Sequence, residues 1–527
     1  MAYKLFENEN TLAKMKASGK EEEFHSLYEK AVESVKKDFG KTYPMMIAGK
    51  NVFSSEGTFD DTSPSDTRIV LGNFQKGTKE DAKKAVEAAE KAFGGWSEAG
   101  YQARVTIFRK AADLMSQGKF KLAAEMTFEN GKNRFESIAD VDEAIDMLRY
   151  YAEELEINRG FEKPMGTMQA GEHAKSVLKP YGVWSVIAPF NFPLAIATGM
   201  TTGATITGNT VVLKPASDTP LMSFELSMIL ERAGLPSGVL NFVTGPGSTV
   251  GQELVENEDV SGVVFTGSWD VGSKSLVEFQ NSSPRPFIAE MGGKNATIVT
   301  RKADLGNAVE GVVRGAFGYG GQKCSAGSRV YVQSEVKEEF LRKLVERVSQ
   351  IKIGDPSERE IFLGPVVNEK AYKNYQIDVA KAKEEGRVLY GGETIRGDDL
   401  SHGYFVKPTI VVDTPESGYL VRNELFVPIL VVQQFETLEE AIAKVNNVDY
   451  GLTSGIFSKD RDEINTFFSK ASAGVLYANR ASGSTTGAVV GVQPFVGWKH
   501  SGSSGKGAGG PYYLQQFMHE QSQTYYD

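Results

Sequence analysis

The chain has 527 residues, of which 41% are hydrophobic, and a formal net charge of −10 at pH 7. This length exceeds what one hydrophobic core usually serves, so we expect two or more lobes. The acidic balance argues against nonspecific binding to nucleic acid or to a membrane surface and favours a small-molecule substrate. The single cysteine excludes an intrachain disulfide, and the five histidines lack metal-ligand spacing, so we predict no metal site.

The N-terminal region predicts no targeting signal. Residues 1–20 are charged and lack an apolar core, which leads us to expect a cytoplasmic protein. A charged helical pattern over 21–38 predicts an N-terminal extension laid on the main body. Apolar residues then recur at three- and four-residue spacing in three segments, which predicts amphipathic helices over 79–93, 102–115 and 138–155.

Short β-rich runs alternate with helical segments between 183 and 265, which predicts right-handed crossovers and a doubly wound parallel sheet of the nucleotide-binding type. The predicted strands are 183–188, 210–214, 239–243 and 262–265, and the predicted helices are 192–207, 220–233 and 249–256.

The alternation repeats between 295 and 457 and predicts a second α/β lobe. Residues 481–511 are rich in glycine and serine but contain Phe495 and Trp498, so we expect a packed loop there. The strands predicted for the second lobe are 296–299, 329–332, 409–412 and 430–434.

Cys324 lies in a glycine-rich run, 318–329, that leads into one of these strands. Two interpretations are open, because a free cysteine is often a small buried hydrophobe but can also be a nucleophile. The surrounding glycines allow a ligand to approach the backbone closely and favour the second interpretation.

Carbonyl chemistry at a thiol needs a hydrogen-bond donor for the oxyanion and a base that activates water. Asn191 follows a predicted strand between two phenylalanines and is a candidate donor; its alternative role is to cap the next helix. Glu290 follows an apolar run, so we predict a desolvated carboxyl with a raised pKa that serves as the base. An exposed glutamate at a strand end is the alternative.

Two glycine turns after predicted strands are candidates for binding a dinucleotide phosphate. One turn, 245–251, contains Gly247, and the other, 265–272, contains Ser268 at a predicted helix start. Both are also common structural turns. Lys214 ends a predicted strand, where it reaches ribose hydroxyls or else extends along the surface.

Six short motifs occur in the order found in aldehyde dehydrogenases, and the chain resembles that family from Tyr43 to the C-terminus. The motifs are Pro-Phe-Asn-Phe-Pro (189–193), Leu-Lys-Pro-Ala-Ser (213–217), Phe-Thr-Gly-Ser (265–268), Glu-Met-Gly-Gly-Lys (290–294), Gly-Gln-Lys-Cys (321–324) and Asn-Glu-Leu-Phe-Val-Pro (423–428).

The resemblance implies an α/β fold with a Rossmann-type cofactor domain, an α/β catalytic domain and a small β oligomerisation flap, and hence a homo-oligomer. It also implies that Cys324 is the nucleophile, that Asn191 and the Cys324 amide form the oxyanion hole, and that Glu290 is the base for thioester hydrolysis. The implied domain boundaries are 1–157 with 181–289 for the cofactor domain, 290–478 for the catalytic domain, and 158–180 with 479–527 for the flap and tail.

The same resemblance implies a cofactor site for NAD. Many family members have glutamate at the position of Ser217, where it repels a 2′-phosphate, so serine leads us to expect NAD with NADP tolerated. Lys214 is implied on the adenosine ribose, Gly247 and Ser268 at the phosphates, and Glu424 with Phe426 beside the nicotinamide ribose.

Within the family, the segments around Cys324 and the C-terminal tail are most similar to 1-pyrroline-5-carboxylate dehydrogenases. This subgroup implies oxidation of L-glutamate 5-semialdehyde to glutamate in proline degradation. A longer run before Gly487, and Val427 in place of glycine, depart from the pattern. Another semialdehyde, such as succinic or aminoadipic, and a non-catalytic relative remain alternatives. The implied substrate contacts are Gly487 and Ala488 for the amino-acid end, Ser325 for the carboxylate, and Phe192 with Phe495 for the aliphatic chain.

Overall fold

The computed structural model describes residues 5–481 and 489–527 and contains the two predicted lobes, each built on a seven-stranded sheet. Five parallel strands of the first sheet are followed by two antiparallel strands at one edge. In spatial order the strands are Phe287–Glu290, Val260–Thr266, Val183–Ile187, Thr210–Lys214, Leu240–Phe242, Met45–Ile47 and Lys50–Val52. The predicted doubly wound sheet is therefore confirmed.

Helices of the first lobe pack on both sides of this sheet. The three predicted amphipathic helices are present: the first begins at the predicted residue and ends later than predicted, and the other two extend beyond both predicted ends. Helix Lys119–Asn130 was not predicted, because from Leu122 onward every residue is buried and no amphipathic stripe marks it. The helices are Lys79–Glu98, Tyr101–Gln117, Lys119–Asn130, Arg134–Ile157, Ala195–Ile206, Pro220–Ala233, Gln252–Glu256 and Trp269–Phe279.

The second sheet is parallel except for one edge strand, and all four strands predicted for it are present. In spatial order the strands are Arg387–Tyr390, Thr409–Val412, Ile429–Phe435, Gly327–Gln333, Asn295–Val299, Thr453–Phe457 and Val475–Ala478. Its helices are Leu305–Phe317, Lys337–Ser349, Glu369–Glu385, Tyr419–Arg422, Leu438–Asn446 and Arg461–Lys470.

Three smaller sheets complete the part of the fold that the structure describes. Strand Glu172–Pro180 pairs antiparallel with Glu162–Pro164 and with Met518–Tyr526, which forms the flap implied by the resemblance. Two further small sheets were not predicted. These strands are Lys41–Tyr43, Val70–Gln75 and Thr58–Thr62 in one sheet, and Tyr450–Gly451 with Trp498–Lys499 in the other. The domain boundaries stay a prediction.

Both ends of the chain pack on the main body. The predicted N-terminal helical extension is helix Glu21–Val35, preceded by an unpredicted helix, Thr11–Ala17. The Tyr28 hydroxyl donates to the buried Thr127 hydroxyl at 2.6 Å, which fixes the extension on the first lobe. Within 489–511 the side chain of Phe495 is buried, as expected for a packed loop, whereas that of Trp498 is 48% exposed. None of the helices in the described part of the chain combines the length and hydropathy of a membrane span.

Candidate active site

Cys324 lies where a glycine turn joins helix Leu305–Phe317 to strand Gly327–Gln333. Gly321 in this turn has a φ of +68°, and a side chain there would lie 2.8 Å from the Val427 carbonyl oxygen. Only glycine suits this conformation and this contact. The tight turn therefore determines where the thiol lies.

The Cys324 side chain lines a narrow cavity of about 60 Å³. The cavity lies at the carboxyl ends of two adjacent strands, Val260–Thr266 and Phe287–Glu290, whose last residues line it. Ligands of open parallel sheets bind at such strand ends. The remaining wall is formed by Glu290, Ser325, Phe192, Phe495, Glu143, Met147, Ile196, Gly199, Met200, Val264, Phe265, Thr266, Ile288, Ala508 and Tyr513.

The surroundings of the cavity raise the pKa of the Cys324 thiol. Burial raises the pKa of Cys324 well above its usual range, and the carboxyls of Glu424 and Glu290 raise it further. The backbone N–H groups of Cys324 and Ser325 act in the opposite direction. Because the thiolate is the reactive form, the thiol must lose its proton as it attacks.

Glu290 is the last residue of its strand and lines the same cavity as the thiol. Its Oε2 atom is buried and has no hydrogen-bond partner among the described residues. Burial raises the pKa of this carboxyl well above its usual range, although a backbone N–H of Gly497 opposes the shift. The alternative of an exposed strand-end glutamate is therefore excluded, and the raised pKa makes the carboxyl a better proton acceptor than an ordinary glutamate.

Asn191 is buried in the loop between strand Val183–Ile187 and helix Ala195–Ile206. Its Oδ1 accepts a hydrogen bond from the Phe192 N–H at 3.1 Å. The helix has Leu194 as its N-cap residue, without a side-chain cap, so Asn191 does not have the alternative capping role. Unlike Phe192, Asn191 is not among the described residues that line the cavity.

Lys214 ends the buried strand Thr210–Lys214 and is only 5% exposed. Its Nζ donates to the Pro215 carbonyl at 2.9 Å, and burial lowers its pKa to about 8. The alternative of a lysine extended along the surface is therefore wrong. Its methylene groups lie beside Gly251, in the glycine turn predicted to bind phosphate.

The other residues predicted to bind the adenine half of a dinucleotide also lie at strand ends of the first sheet. Ser217 is exposed. No described atom lies within 4 Å of where a side chain on Gly247 would begin. Ser268 is the N-cap of helix Trp269–Phe279, and its hydroxyl accepts from the Val271 N–H at 3.4 Å. The remaining N–H groups of such a helix start are suited to a phosphate.

Glu424 and Phe426 approach from the second lobe. The Glu424 Oε1 atom accepts from the Gly293 N–H at 2.9 Å, and burial raises the pKa of this carboxyl to about 7, against the opposing effects of this bond and of the Lys294 charge. The Phe426 ring meets the Phe190 ring edge-on, with 5.7 Å between centroids. This contact joins the second lobe to the loop that carries Asn191.

Val427, which stands where the family pattern has glycine, packs in an apolar core. Its side chain is 5% exposed and belongs to the apolar core beneath the second sheet, together with Leu425 and Ile429. The valine in place of glycine therefore adds apolar packing in this core.

Comparison with known proteins decides the family. The model of the aldehyde dehydrogenase family matches residues 52–522. The chain belongs to the aldehyde dehydrogenase family. It is 38% identical over 503 residues to a 1-pyrroline-5-carboxylate dehydrogenase of Geobacillus sp. (strain WCH70), a match that covers 94% of this chain and 95% of the relative.

Two solved structures confirm the aldehyde dehydrogenase fold. A Thermus 1-pyrroline-5-carboxylate dehydrogenase with bound NAD is 35% identical, with a TM-score of 0.92 and complete coverage of both chains. A betaine aldehyde dehydrogenase from Staphylococcus aureus in complex with NAD+ is 30% identical, with a TM-score of 0.88, over 94% of this chain and 97% of the other. The predicted family and fold class are therefore correct.

Two residues that the sequence did not single out shape the cavity of this aldehyde dehydrogenase. Lys132 and Asp140 form a completely buried ion pair, with 2.6 Å between Nζ and Oδ2. The Lys132 ammonium lies 3.7 Å from the centre of the Phe192 ring, and Asp140 accepts from the Ala195 N–H at 2.7 Å. The pair thereby holds the loop that carries Asn191. No local pattern distinguishes this lysine and aspartate from exposed ones.

Helix Arg134–Ile157, hereafter the cavity helix, also contributes Glu143 and Met147 to the wall. The helix was predicted, but the sequence did not show which of its residues face the substrate. Gly487 and Ala488, predicted to bind the amino-acid end, lie outside the described residues. Within 5–481 and 489–527, no group of three or more His, Cys, Asp or Glu side chains is placed to hold a metal ion.

Proposed function

We propose that this aldehyde dehydrogenase oxidises L-glutamate 5-semialdehyde, the open form of 1-pyrroline-5-carboxylate, to L-glutamate. The observation that carries the proposal is a single cavity lined by the Cys324 thiol, the desolvated Glu290 carboxyl and the Ser325 hydroxyl. The Ser325 Oγ atom is buried without a hydrogen-bond partner among the described residues. The names of the Geobacillus and Thermus relatives support this choice of substrate.

The proposed reaction begins when the Cys324 sulfur attacks the aldehyde carbon: the thiol proton passes to a water molecule, and a thiohemiacetal oxyanion forms. The Asn191 side-chain amide and the Cys324 N–H donate hydrogen bonds to the developing oxyanion. NAD, when bound, accepts the hydride that leaves this carbon. A thioester then remains on the sulfur. Glu290 takes a proton from the attacking water, and the C–S bond breaks to release the carboxylate.

We assign the cofactor site to the strand ends of the first lobe. Lys214 uses one ammonium donor on a backbone carbonyl and retains two for ribose hydroxyls. The open side of Gly247 and the helix start at Ser268 suit a pyrophosphate. Glu424 and Phe426 would contact the nicotinamide ribose. Because Ser217 is exposed and uncharged, NADP is tolerated.

The substrate wall is the part of the cavity that we assign to contacts with the substrate. Phe192 and Phe495 would enclose the aliphatic chain, and Ser325 would donate to the carboxylate. Gly487 and Ala488 would bind the amino-acid end through their backbone. Uncharged donors can satisfy a carboxylate without a buried counter-ion.

Steady-state assays with three semialdehydes test the substrate. Glutamate, succinic and aminoadipic semialdehydes are compared by the reduction of NAD. We expect glutamate semialdehyde to give the highest kcat/KM, because its length and two charges suit the proposed contacts. A higher value for another semialdehyde would contradict the choice of substrate. Cofactor binding without turnover of any aldehyde would support a non-catalytic relative.

We also propose that the flap joins copies of the chain into a homo-oligomer. Its last strand exposes the rings of Tyr525 and Tyr526, which are 62% and 57% exposed. Exposed aromatic side chains at a sheet of this kind are typical of an interface. Light scattering coupled to gel filtration should give a dimer or a larger assembly, and a monomer at micromolar concentration would contradict the proposal.

A further inference from the structure

The N-terminal arm, defined as residues 6–11, is hydrogen-bonded to the cavity helix. Thr11 donates through its N–H and its hydroxyl to the two carboxylate oxygens of Asp142, at 2.6 and 2.7 Å. The Glu9 N–H donates to Asp146 at 2.8 Å. Both aspartates are less than 9% exposed, so the arm supplies hydrogen bonds that water would otherwise make.

The Glu9 side chain holds the arm in place. Its carboxylate accepts hydrogen bonds from Lys119 at 2.8 Å, from Ser116 at 3.0 Å and from Arg149. Although burial opposes ionisation, the bonds from the two cations lower the pKa of Glu9 to about 2. The Glu9 carboxylate therefore stays ionised across the pH range in which the enzyme would be assayed, whereas burial raises the pKa of Asp142 and that of Asp146 to about 6.

The same arm contacts the tail. The Asn8 side-chain amide donates to Asp146 at 2.9 Å and to the Val490 carbonyl at 3.0 Å. Phe6 lies against Gly491. A side-chain carbon added to Gly491 would be 3.0 Å from the Phe6 Cβ. Asn8 thus bridges the cavity helix and the tail with a single amide group.

From this bridge, hydrogen bonds continue to the cavity. The Gly491 N–H donates to the Gly509 carbonyl at 2.9 Å, and the Gly509 N–H donates to the Tyr151 hydroxyl of the cavity helix at 2.9 Å. The neighbouring Ala508 is paired with Phe495 by two backbone bonds of 2.9 Å. Ala508 and Phe495 both line the cavity.

We propose that the N-terminal arm positions the substrate end of the cavity, with Asn8 as the positioning residue. It ties the tail at Val490, two residues beyond Ala488, to the cavity helix that contributes Glu143 and Met147 to the wall. The inference rests on the proposed function, because Val490, which accepts the bond from Asn8, follows Gly487 and Ala488, the residues assigned to the amino-acid part of the substrate. The arm acts through the cavity wall, so it affects substrate binding more than the bond-forming steps.

The test compares Asn8→Ala with Glu7→Ala as a matched control. Glu7 is the preceding residue, and its side chain is 81% exposed in a surface pair with Lys14. For each variant, kcat and KM are measured with glutamate semialdehyde and with pentanal, which has the same carbon chain without the amino and carboxylate groups. We expect Asn8→Ala to lower kcat/KM about tenfold for glutamate semialdehyde, mainly through KM, and to leave pentanal unchanged. Glu7→Ala should change neither substrate.

Two results would overturn the role of the arm: unchanged kinetics in Asn8→Ala, or an equal loss for both substrates, which indicates general loosening. Failure of the proposed substrate is seen separately, in the wild-type chain. If the wild-type chain prefers another semialdehyde, the loss of kcat/KM in Asn8→Ala is measured with that compound and with the unsubstituted aldehyde of the same chain length. An effect confined to the semialdehyde would then still support the arm, and an equal effect would reject it.

Discussion

The two walls of the cavity are built in different ways. Cys324 and Glu290 lie at the ends of short segments, where a glycine turn or a strand end places the side chain directly. Phe495, which belongs to the cluster packed against Cys324, is held by a tail that depends on contacts such as the bond from Asn8 to Val490, 482 residues apart in the chain. The chemical wall is therefore defined locally, while the substrate wall depends on how distant segments pack.

Replacement of the nucleophile should have the largest effect. We expect Cys324→Ser to lower kcat/KM by at least about 10³-fold, because the serine hydroxyl is a much weaker nucleophile at neutral pH. Affinity for NAD, measured by fluorescence quenching, should change less than about threefold, since the assigned cofactor contacts lie on other residues. Substantial residual turnover would show that the chemical wall does not depend on this thiol.

Replacement of the base should have the next largest effect. We expect Glu290→Gln to lower steady-state turnover by about 10²- to 10³-fold, because the thioester can no longer be hydrolysed efficiently. Stopped-flow measurements should still show a rapid burst of reduced cofactor, because the step before hydrolysis does not use this carboxyl. Loss of the burst together with turnover would assign Glu290 to the first step instead.

The pH dependence of the wild-type enzyme should test whether turnover requires a buried base. Glu290 acts as a base only when deprotonated, and burial raises its pKa well above its usual range. Steady-state turnover should therefore fall as the pH is lowered through this raised pKa, by about tenfold for each further pH unit. A profile that stays flat down to about pH 5 would contradict a desolvated base.

The smallest effect is expected on the substrate wall. Because the Ser325 hydroxyl lacks a partner among the described residues, Ser325→Ala should not destabilise the fold. It should raise KM for glutamate semialdehyde about five- to tenfold through the loss of one hydrogen bond to the carboxylate, while KM for pentanal stays unchanged. A lower melting temperature, or an equal change with pentanal, would show that this hydroxyl is structural.

The parts of the fold that could be predicted are those in which the local pattern reflects burial. Strand Thr409–Val412 is a short apolar run between turns, and its predicted and observed ends agree. Helix Lys119–Asn130 is missing from the prediction, because a helix buried on most sides has no polar face to reveal its period. Lys132 and Asp140 were likewise missed, since each is an ordinary charged residue until the fold removes it from water.

By itself the sequence determined the succession of buried strands. Together with the family resemblance, it also indicated the residues proposed for the chemistry, because turns and short motifs depend on residues that are neighbours in the chain. The tertiary structure alone decided which faces of the cavity helix meet the substrate and which meet the arm. The physical reason is that a hydrogen bond such as that of Asn8 to Val490 has no local signature: it forms only when packing brings the two ends of the chain together.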